Sequence, residues 1–398
     1  MLNEDLLTLS NWSNVWMIKF NSLKSKYMII SNKKNGNKSK LNLILSGTVL
    51  EQVSQHKHLG LIFSDDLKWS SHIDHVVKTS NRKIGLLYRC RDRIQRKYKI
   101  KIYTSIIRPS IEYASVIYHN CSIENSKKLE SVQKFAARVC TGAMRRTEYI
   151  NLLRELGWES LKTRRLIAKG ILTYKIMNGL TPSYLKLNFT ATHDVKIQIR
   201  NRHRLELPFC RLNSYALSFF PSQTLFWNQL PVETANCLNI SMFRRALLKK
   251  YEEFVYTYND YCAFQSCHTY YGKILTQIRL GLSPLKSHMF EHQLTDNPFC
   301  PSCTLNIETV CHLFMICKSY VSARDELIIK MSKIIVNWNS LKADEKIELL
   351  VNGYKLSTFN QGSNKKITAT NIQIFELVFD FLKKTRRFSY SIGHFVLQ

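Results

Sequence analysis

SHIDHVVKTSNRKIGLLYR, residues 71–89, sets Ile73, Val76, Val77, Ser80, Ile84 and Leu87 at helical spacing along one face. That is the pattern of an amphipathic helix with one side turned to a core. The other side carries Lys78, Arg82 and Lys83. The stretch predicts a helix that is apolar inside and basic outside, and the pattern recurs downstream. A second helix runs to about Ile107, where Arg108-Pro109 is expected to break or kink it. Leu129, Val132, Phe135, Ala136 and Val139 line a third. A fourth starts near Ser160, a fitting N-cap, and carries Leu161, Ile167, Ile171 and Tyr174. Asn178-Gly179 followed by Pro182 ends it. Residues 71–180 therefore read as a basic helical bundle.

Upstream, Leu2, Leu6, Leu9 and Trp12 predict a helix leading to Trp16. Tyr27-Met28-Ile29-Ile30 and Leu41-Asn42-Leu43-Ile44-Leu45 read as strands around a basic turn, Asn32 to Lys38, marked by Asn35-Gly36. Downstream, residues 181–260 are less regular. Ile197 to Leu207 alternates like a strand, Trp227-Asn228-Gln229-Leu230-Pro231 reads as a loop, and Phe243 to Phe254 as a helix. A second helical region follows from 260, is interrupted by a Cys/His cluster, and continues past a polar linker, Ser357 to Lys366. The fold class is α+β, predominantly α. Four parts follow from the pattern: 1–70, 71–180, 181–260 and 261–398.

Hydrophobic residues form 45% of the 398, enough for a packed core. Lys and Arg total 58 against 29 acids, a net charge of +29 spread along the chain. Such a field favours polyanionic partners, chiefly nucleic acid, over the alternative of a merely solvated basic surface. Aromatics among the basic residues support that choice. The basic groups are Lys19, Lys24, Lys26, Arg82, Lys83, Arg89, Arg91, Arg93, Arg96 and Lys97, then Arg145, Arg146, Arg164 and Arg165. Each alone is a surface charge; together they suggest a groove tracking a phosphate backbone. We single out Arg82, Lys83, Arg89 and Arg93. No apolar run of membrane length occurs. Met1 to Asp5 holds early acids and no basic lead, so a nuclear or cytoplasmic place is expected and secretion is not.

The eleven cysteines then read as thiols or metal ligands. Seven are scattered: Cys90, Cys121, Cys140, Cys210, Cys237, Cys262 and Cys267. The rest cluster. Cys300-Pro301-Ser302-Cys303 is a tight pair, with His312 after eight intervening residues and Cys317 after four more. Two thiolates so spaced can grip one side of a tetrahedral zinc ion, and a distant His/Cys pair can close the other. Positions five apart on an α-helix lie roughly 140° apart, so Cys317 should sit just beyond a helix carrying His312. Four protein ligands make the site structural. Cys311 is a spare, ranked below Cys317; chance clustering of buried cysteines is the competing account.

Phe63-Ser64-Asp65-Asp66 invites another reading. Paired acids are what two-metal phosphoryl transfer needs. A further carboxylate on an earlier strand is also required, and upstream stand only Glu4, Asp5 and Glu51. Leu67-Lys68-Trp69-Ser70 leads straight into the helix, so an acidic cap or loop is the better reading.

At Trp16-Met17-Ile18-Lys19-Phe20-Asn21-Ser22-Leu23-Lys24 the chain resembles reverse transcriptases of Jockey-like, non-long-terminal-repeat retrotransposons. His56-Lys57-His58-Leu59-Gly60 resembles their Leu-Gly turn, and Trp69, His72 and Ile73 the start of the next helix. Arg108-Pro109, Glu112-Tyr113-Ala114 and Leu129-Glu130 with Gln133 resemble the thumb. Trp227-Asn228 with Leu230-Pro231, Arg279-Leu280-Gly281-Leu282-Ser283 with Leu285, and the Cys/His cluster followed by Arg324 resemble the C-terminal region. The resemblance implies a small palm-remnant sheet in 1–70, a helical thumb in 71–180, a connecting region in 181–260 and a zinc-stabilised helical region in 261–398. It implies a primer-holding role for His58, Leu59 and Gly60, and for Lys24 the family's lysine that acts on departing pyrophosphate. It places the catalytic turn before Asn3. The expectation is a template–primer-binding part of an RNA-directed DNA polymerase without its catalytic aspartates, inactive alone. RNA and DNA are the implied partners, with upstream polymerase and endonuclease parts as a further partner. Mg²⁺ would belong only to an intact parent enzyme. The rival is a self-standing nucleic-acid-binding zinc protein; a third reading is a phosphotransferase using Asp65 and Asp66.

Overall fold

A computed structural model describes residues 1–31, 40–189, 205–251, 269–354 and 364–388. The basic turn at 32–38, most of the 197–207 alternation, Cys262, Cys267 and most of the 357–366 linker lie outside the described residues. The chain forms two compact units, one from residues 1–79, 111–129 and 168–235, the other from 80–110, 130–167 and 236–398. Contacts group the chain by a different criterion from the four-part reading of pattern. Helix dominates and the strands are few and short.

In the first unit α1 (Leu2–Val15) forms as expected, yet its buried residues are Ser10 and Ser13, while Leu2, Leu9 and Trp12 stay exposed. Polar side chains dock it. Asn3 Nδ2 donates to Asn42 O at 2.9 Å, Asn3 Oδ1 accepts from Ile44 N–H at 3.1 Å, and Ser10 Oγ accepts from Ser46 N–H at 3.2 Å. Seven residues apart, Asn3 and Ser10 share a helix face. That face satisfies the backbone of a neighbouring turn, so apolar spacing misjudged which side is buried.

The expected small sheet is instead three separate pairings. β1 (Lys26–Tyr27) pairs parallel with β4 (Glu51–Gln52), β2 (Ile44–Leu45) antiparallel with β3 (Thr48–Val49), and β5 (Gln55–His58) antiparallel with β6 (Leu61–Ser64). Of 27–30 only Tyr27 pairs, and of 41–45 only Ile44 and Leu45, where Ser46-Gly47 turns the chain at once.

The β5–β6 hairpin closes through Leu59 and Gly60, both at positive φ, +46° and +86°. A two-residue hairpin turn of this hand matches strand twist and demands that conformation, which costs glycine little and leucine more. Tyr113 holds the strained residue, its hydroxyl donating to Leu59 O at 2.9 Å. Beyond β6, Asp66 Oδ1 accepts from Lys68 N–H at 2.9 Å and Asp65 N–H donates to Ser54 O at 2.9 Å. α2 (Ser70–Arg89) follows directly. Trp69 packs edge-on to Phe63 at 5.5 Å, and the His72 ring lies 5.2 Å from that of buried Tyr118.

In the second unit α3 (Arg96–Ile102) does not end before Pro109. It widens to a π turn, Tyr103–Ile107, and continues as α4 (Arg108–Glu112). A proline removes one N–H and crowds the carbonyl four residues back; an i→i+5 turn relieves both without ending the helix. Along the chain α5 (Ile123–Thr141), α6 (Tyr149–Leu156) and α7 (Leu161–Met177) follow, and residues 123–129 and 168–177 belong to the first unit. Ser160 caps α7, its Oγ accepting from Thr163 N–H at 3.1 Å. Gly179 at φ +69° ends it, with Leu180 N–H to Lys175 O and Gly179 N–H to Ile176 O forming a Schellman motif.

Trp227-Asn228 is not loop: it closes the helix Phe219–Asn228. The Asn228 amide bonds both the N–H and the carbonyl of Leu205 at 2.8 Å, so a residue that looks like a loop marker serves as a backbone surrogate. The C-terminal helices Thr269–Arg279, Val321–Ile334, Ala343–Asn352 and Asn364–Lys384 share one core, which includes Leu275, Phe314, Met331, Trp338, Leu350 and Phe375.

Lys169 is buried, its Nζ 2.6 Å from Ser222 Oγ, and burial pushes its amine down from 10.5 to about 8. The unfolded chain binds that proton more tightly, so the cost is complete below about pH 8 and fades as pH rises toward 10.5. Lys169→Met should therefore stabilise by roughly 2 kcal/mol at neutral pH, after allowing for the lost hydrogen bond. Denaturant melts should show the gain shrinking by pH 10. An unstabilised variant at pH 7 counts against the assignment.

Candidate metal centre and nucleic-acid interface

The Cys/His segment folds as a short hairpin followed by a π turn. Cys300 N–H donates to Asn306 O at 2.8 Å and Thr304 N–H to Cys300 O at 2.8 Å, so the chain reverses between the paired cysteines and Ile307. Thr309 starts the next turn, its Oγ1 accepting from His312 N–H at 3.0 Å. His312–Ile316 is a π turn, and Cys317, its C-cap, donates N–H to His312 O at 2.8 Å. Cys317 thus lies just beyond the helical turn carrying His312, as expected. The i→i+5 bond returns the chain to the side from which His312 projects.

One donor atom from each of Cys300, Cys303, His312 and Cys317 lies within 4.8 Å of all the others. Cys300 Sγ is 3.9 Å from Cys317 Sγ, and Cys303 Sγ 3.3 Å from His312 Nε2. A tetrahedron with Zn–S near 2.3 Å and Zn–N near 2.0 Å has edges of about 3.5–3.8 Å. Donor set and spacing fit a closed four-ligand site. Cys311 is half-buried and outside the group.

Electrostatics prepare the donors. The backbone N–H of Leu305 foremost, and that of Asn306, hold the Cys303 thiol below its usual range. Burial pushes Cys317 up to about 11 and pushes His312 down, keeping the imidazole in its neutral, ligating form. Metal must therefore displace protons, and its affinity falls as pH drops. Sequence reading missed the bracing. Arg324 Nη2 donates to Cys317 O at 2.5 Å, and Ser302 Oγ meets Tyr320 Oη at 2.5 Å. Glu308, fully buried, receives Arg387 Nε at 2.5 Å and Nη2 at 2.8 Å. No pattern in the sequence marks Glu308; only its lack of solvent does.

The other site residues fall in both units. In the first, Lys24 is exposed in a turn where its N–H donates to Asn21 Oδ1 at 3.1 Å, and His58, Leu59 and Gly60 form the exposed hairpin tip. In the second, Arg82, Arg89 and Arg93 are exposed, and half-buried Lys83 donates to Ser110 Oγ at 3.1 Å. Two groove candidates turn inward instead. Arg96 pairs with buried Glu155 at 2.7 Å, and Arg165 is buried. Asp65 and Asp66 join no third potential ligand among the described residues.

Glu130 and Gln133 prove to be scaffold. Gln133 Oε1 accepts from Tyr103 Oη at 2.7 Å, and its amide donates to Tyr149 Oη and Glu159 O, each at 2.9 Å. Glu130 accepts from the Tyr149 hydroxyl at 2.6 Å and from the N–H of Lys162 at 2.7 Å at the start of α7.

Comparison with known proteins finds this chain distantly similar to retrotransposon RNA-directed DNA polymerases. It is 25% identical over 145 residues, 36% of this chain, to the RNA-directed DNA polymerase from mobile element jockey of Drosophila funebris, and 23% identical to that of Drosophila melanogaster. The probable RNA-directed DNA polymerase from transposon X-element of Drosophila melanogaster is 24% identical over 136 residues. The matches cover 15–16% of the lengths of these relatives. No family model and no solved structure matches. Among the described residues no helix is long and apolar enough to cross a membrane.

Cys300→Ser or Cys303→Ser should abolish stoichiometric zinc in protein from zinc-replete expression, while Cys311→Ser should retain it. Metal analysis decides: less than about half an equivalent in the wild type, or full zinc in Cys303→Ser, removes the site.

Proposed function

We propose that this chain is the template–primer-holding part of a Jockey-like RNA-directed DNA polymerase, with a C-terminal region braced by structural zinc. The observation that carries the reading is the similarity to jockey polymerases over 145 residues. The charge of +29 and the outward Arg82, Arg89 and Arg93 are consistent with phosphate contact. On this reading the Leu59-Gly60 hairpin with His58 and Lys24 lies toward the primer, and the helices after residue 70 act as the thumb. RNA and DNA are the partners, along with any catalytic part of the polymerase, in the nucleus or cytoplasm.

Chemistry does not belong to these residues. Two-metal catalysis needs converging carboxylates. Asp66 instead caps the Lys68 N–H, and Lys68 Nζ lies 3.5 Å from its other oxygen. The purified chain should give no primer extension with Mg²⁺; extension that Asp66→Asn abolishes would establish the phosphotransferase instead.

Binding should be steeply salt-dependent and weakly sequence-selective. Each neutralised phosphate contributes about 0.7–0.9 to the slope of log K against log salt. Replacing Arg82, Lys83, Arg89 and Arg93 together with Gln should flatten that slope by up to about 3, read by fluorescence anisotropy. Wild-type binding that is equal in low and high salt refutes the electrostatic grip.

A further inference from the structure

The three thiols of the candidate metal group differ in what can reach them. Cys300 is 1% exposed, Cys317 0% and His312 2%. Cys303 is only half-buried, so it is the one member of the group that a small solute meets from water. Two further thiols stand directly behind it. The donor atoms of the group all lie within 4.8 Å of one another, and the Cys300 and Cys317 sulfurs are 3.9 Å apart. A thiol that ligates a metal is deprotonated, and the thiolate is the form that peroxide oxidises. Susceptibility then follows exposure, and a resolving thiol nearby turns the first oxidation into a disulfide. The group offers that pairing: one accessible sulfur, with buried sulfurs in reach of it.

The fate of the fold depends on what else holds the hairpin. In a small zinc domain, folding and metal binding are one event. Here the ties that place the ligands do not run through sulfur. Glu308 takes Arg387 Nε at 2.5 Å and the Lys286 N–H at 2.8 Å. Ser319 Oγ donates to Ser302 O at 3.0 Å, and Arg324 Nη2 to Cys317 O at 2.5 Å. Leu313 and Phe314, next to His312, are fully buried in a core with Leu275, Trp338 and Phe375. Peroxide does not oxidise an ion pair of carboxylate and guanidinium or a bond to a backbone carbonyl. The frame around the ligands therefore outlasts the loss of a thiolate.

We propose that Cys303 is a peroxide-sensitive modification site: its oxidation closes a disulfide with Cys300 or Cys317 and releases the zinc, while the surrounding helices stay folded. This rests on the zinc reading above and adds to it a reversible redox control. In the first step the Cys303 thiolate attacks hydrogen peroxide. An S–O bond forms and the O–O bond breaks; the sulfur is oxidised to a sulfenic acid, the peroxide is reduced, and hydroxide leaves. In the second step the thiolate of Cys300 or Cys317 attacks that sulfur. The S–S bond forms, the S–O bond breaks, and a second hydroxide leaves. With two protons from solvent, two thiolates and one peroxide give one disulfide and two waters. One thiolate and His312 then remain, where a closed tetrahedral site needs four donors. A reductant returns both thiols to a frame that still holds them close.

The test uses the full chain in its zinc-loaded form, with hydrogen peroxide as the oxidant and a chromogenic zinc chelator as the reporter. Wild type should release its bound zinc, and peptide mapping should join Cys303 to Cys300 or Cys317. The helical signal in circular dichroism should not change, and a phosphine reductant with added zinc should restore the metal. Cys311→Ser should respond as wild type does. Cys303→His keeps a fourth donor, so it should hold zinc and retain it under peroxide, because the thiols left have almost no contact with water. Should Cys303→His bind no zinc, the peptide map of wild type decides alone. Four results each overturn the switch and leave the zinc reading standing. They are zinc kept by peroxide-treated wild type, release from Cys303→His at the wild-type rate, oxidation that bridges Cys311 or takes Cys303 to sulfinic acid with no bridge, and helix lost together with zinc. A wild type that never holds zinc overturns both readings, which separates the two failures.

Discussion

A carboxylate that no water reaches organises the C-terminal part of this protein. Glu308 takes both Nε and Nη2 of Arg387, and also the backbone N–H of Lys286 at 2.8 Å. Its own carbonyl accepts from Ser287 Oγ at 2.8 Å, and Arg387 Nη2 also reaches Pro284 O at 3.1 Å. An ion taken out of water costs several kcal/mol, and only close geometry with full hydrogen bonding offsets it. The turn at 284–287, the hairpin at 298–308 and the end of the last helix must therefore come together, or the charge would have to stay in water. The hairpin so fixed carries two of the four candidate metal ligands inward and Phe299 outward. Bracing and ligation then support each other. A metal held by the four candidate ligands would draw Cys300 to Cys317 and pull the hairpin onto the π turn, where Arg324 holds the Cys317 carbonyl.

The basic surplus is divided by the same physics. Arg96 and Arg279 flank buried Glu155 at 2.7 and 3.7 Å, so two guanidiniums are committed to one inner carboxylate. Among the described residues Arg82, Arg89 and Arg93 meet no such acid, and their side chains are exposed. A chain with twice as many cations as acids has few carboxylates to spare inside. The acids buried among the described residues, Glu155 and Glu308, each hold separate segments together. What remains outside is a positive surface by default, set by what the interior leaves over.

The motifs that look like retrotransposon polymerases largely describe scaffold. Glu130 and Gln133 join Tyr103, Tyr149 and the start of α7. Arg279-Leu280-Gly281-Leu282 is a helix end: Gly281 sits at φ +71°, with its own N–H bonded to Ile278 O and that of Leu282 to Gln277 O. Ser283 continues it by bonding His288 Nδ1 at 2.9 Å. Leu59-Gly60 is a hairpin turn that only certain residues can make. Positions like these constrain a chain because few residue types satisfy the backbone there.

Local signals were legible in the sequence wherever one stretch of chain contains its own partner. Helical spacing located α1, α2, α5 and α7, Ser160 and Gly179 marked the ends of α7, and the tight cysteine pair with His312 and Cys317 named a ligand group that the fold does bring together. Each of these depends on i to i+4 geometry or on a short loop. Tertiary structure alone decided what depends on distant partners. It turned the polar side of α1 inward, because Asn3 and Ser10 meet the backbone of residues 42–46. It carried the helix through Pro109 by a π turn, and made Asn228 a substitute for a strand beside Leu205. It also chose which arginines face water, since a basic residue's spacing does not reveal whether a buried acid such as Glu155 awaits it. Pattern records periodicity along the chain, whereas burial is a property of what the rest of the chain places alongside.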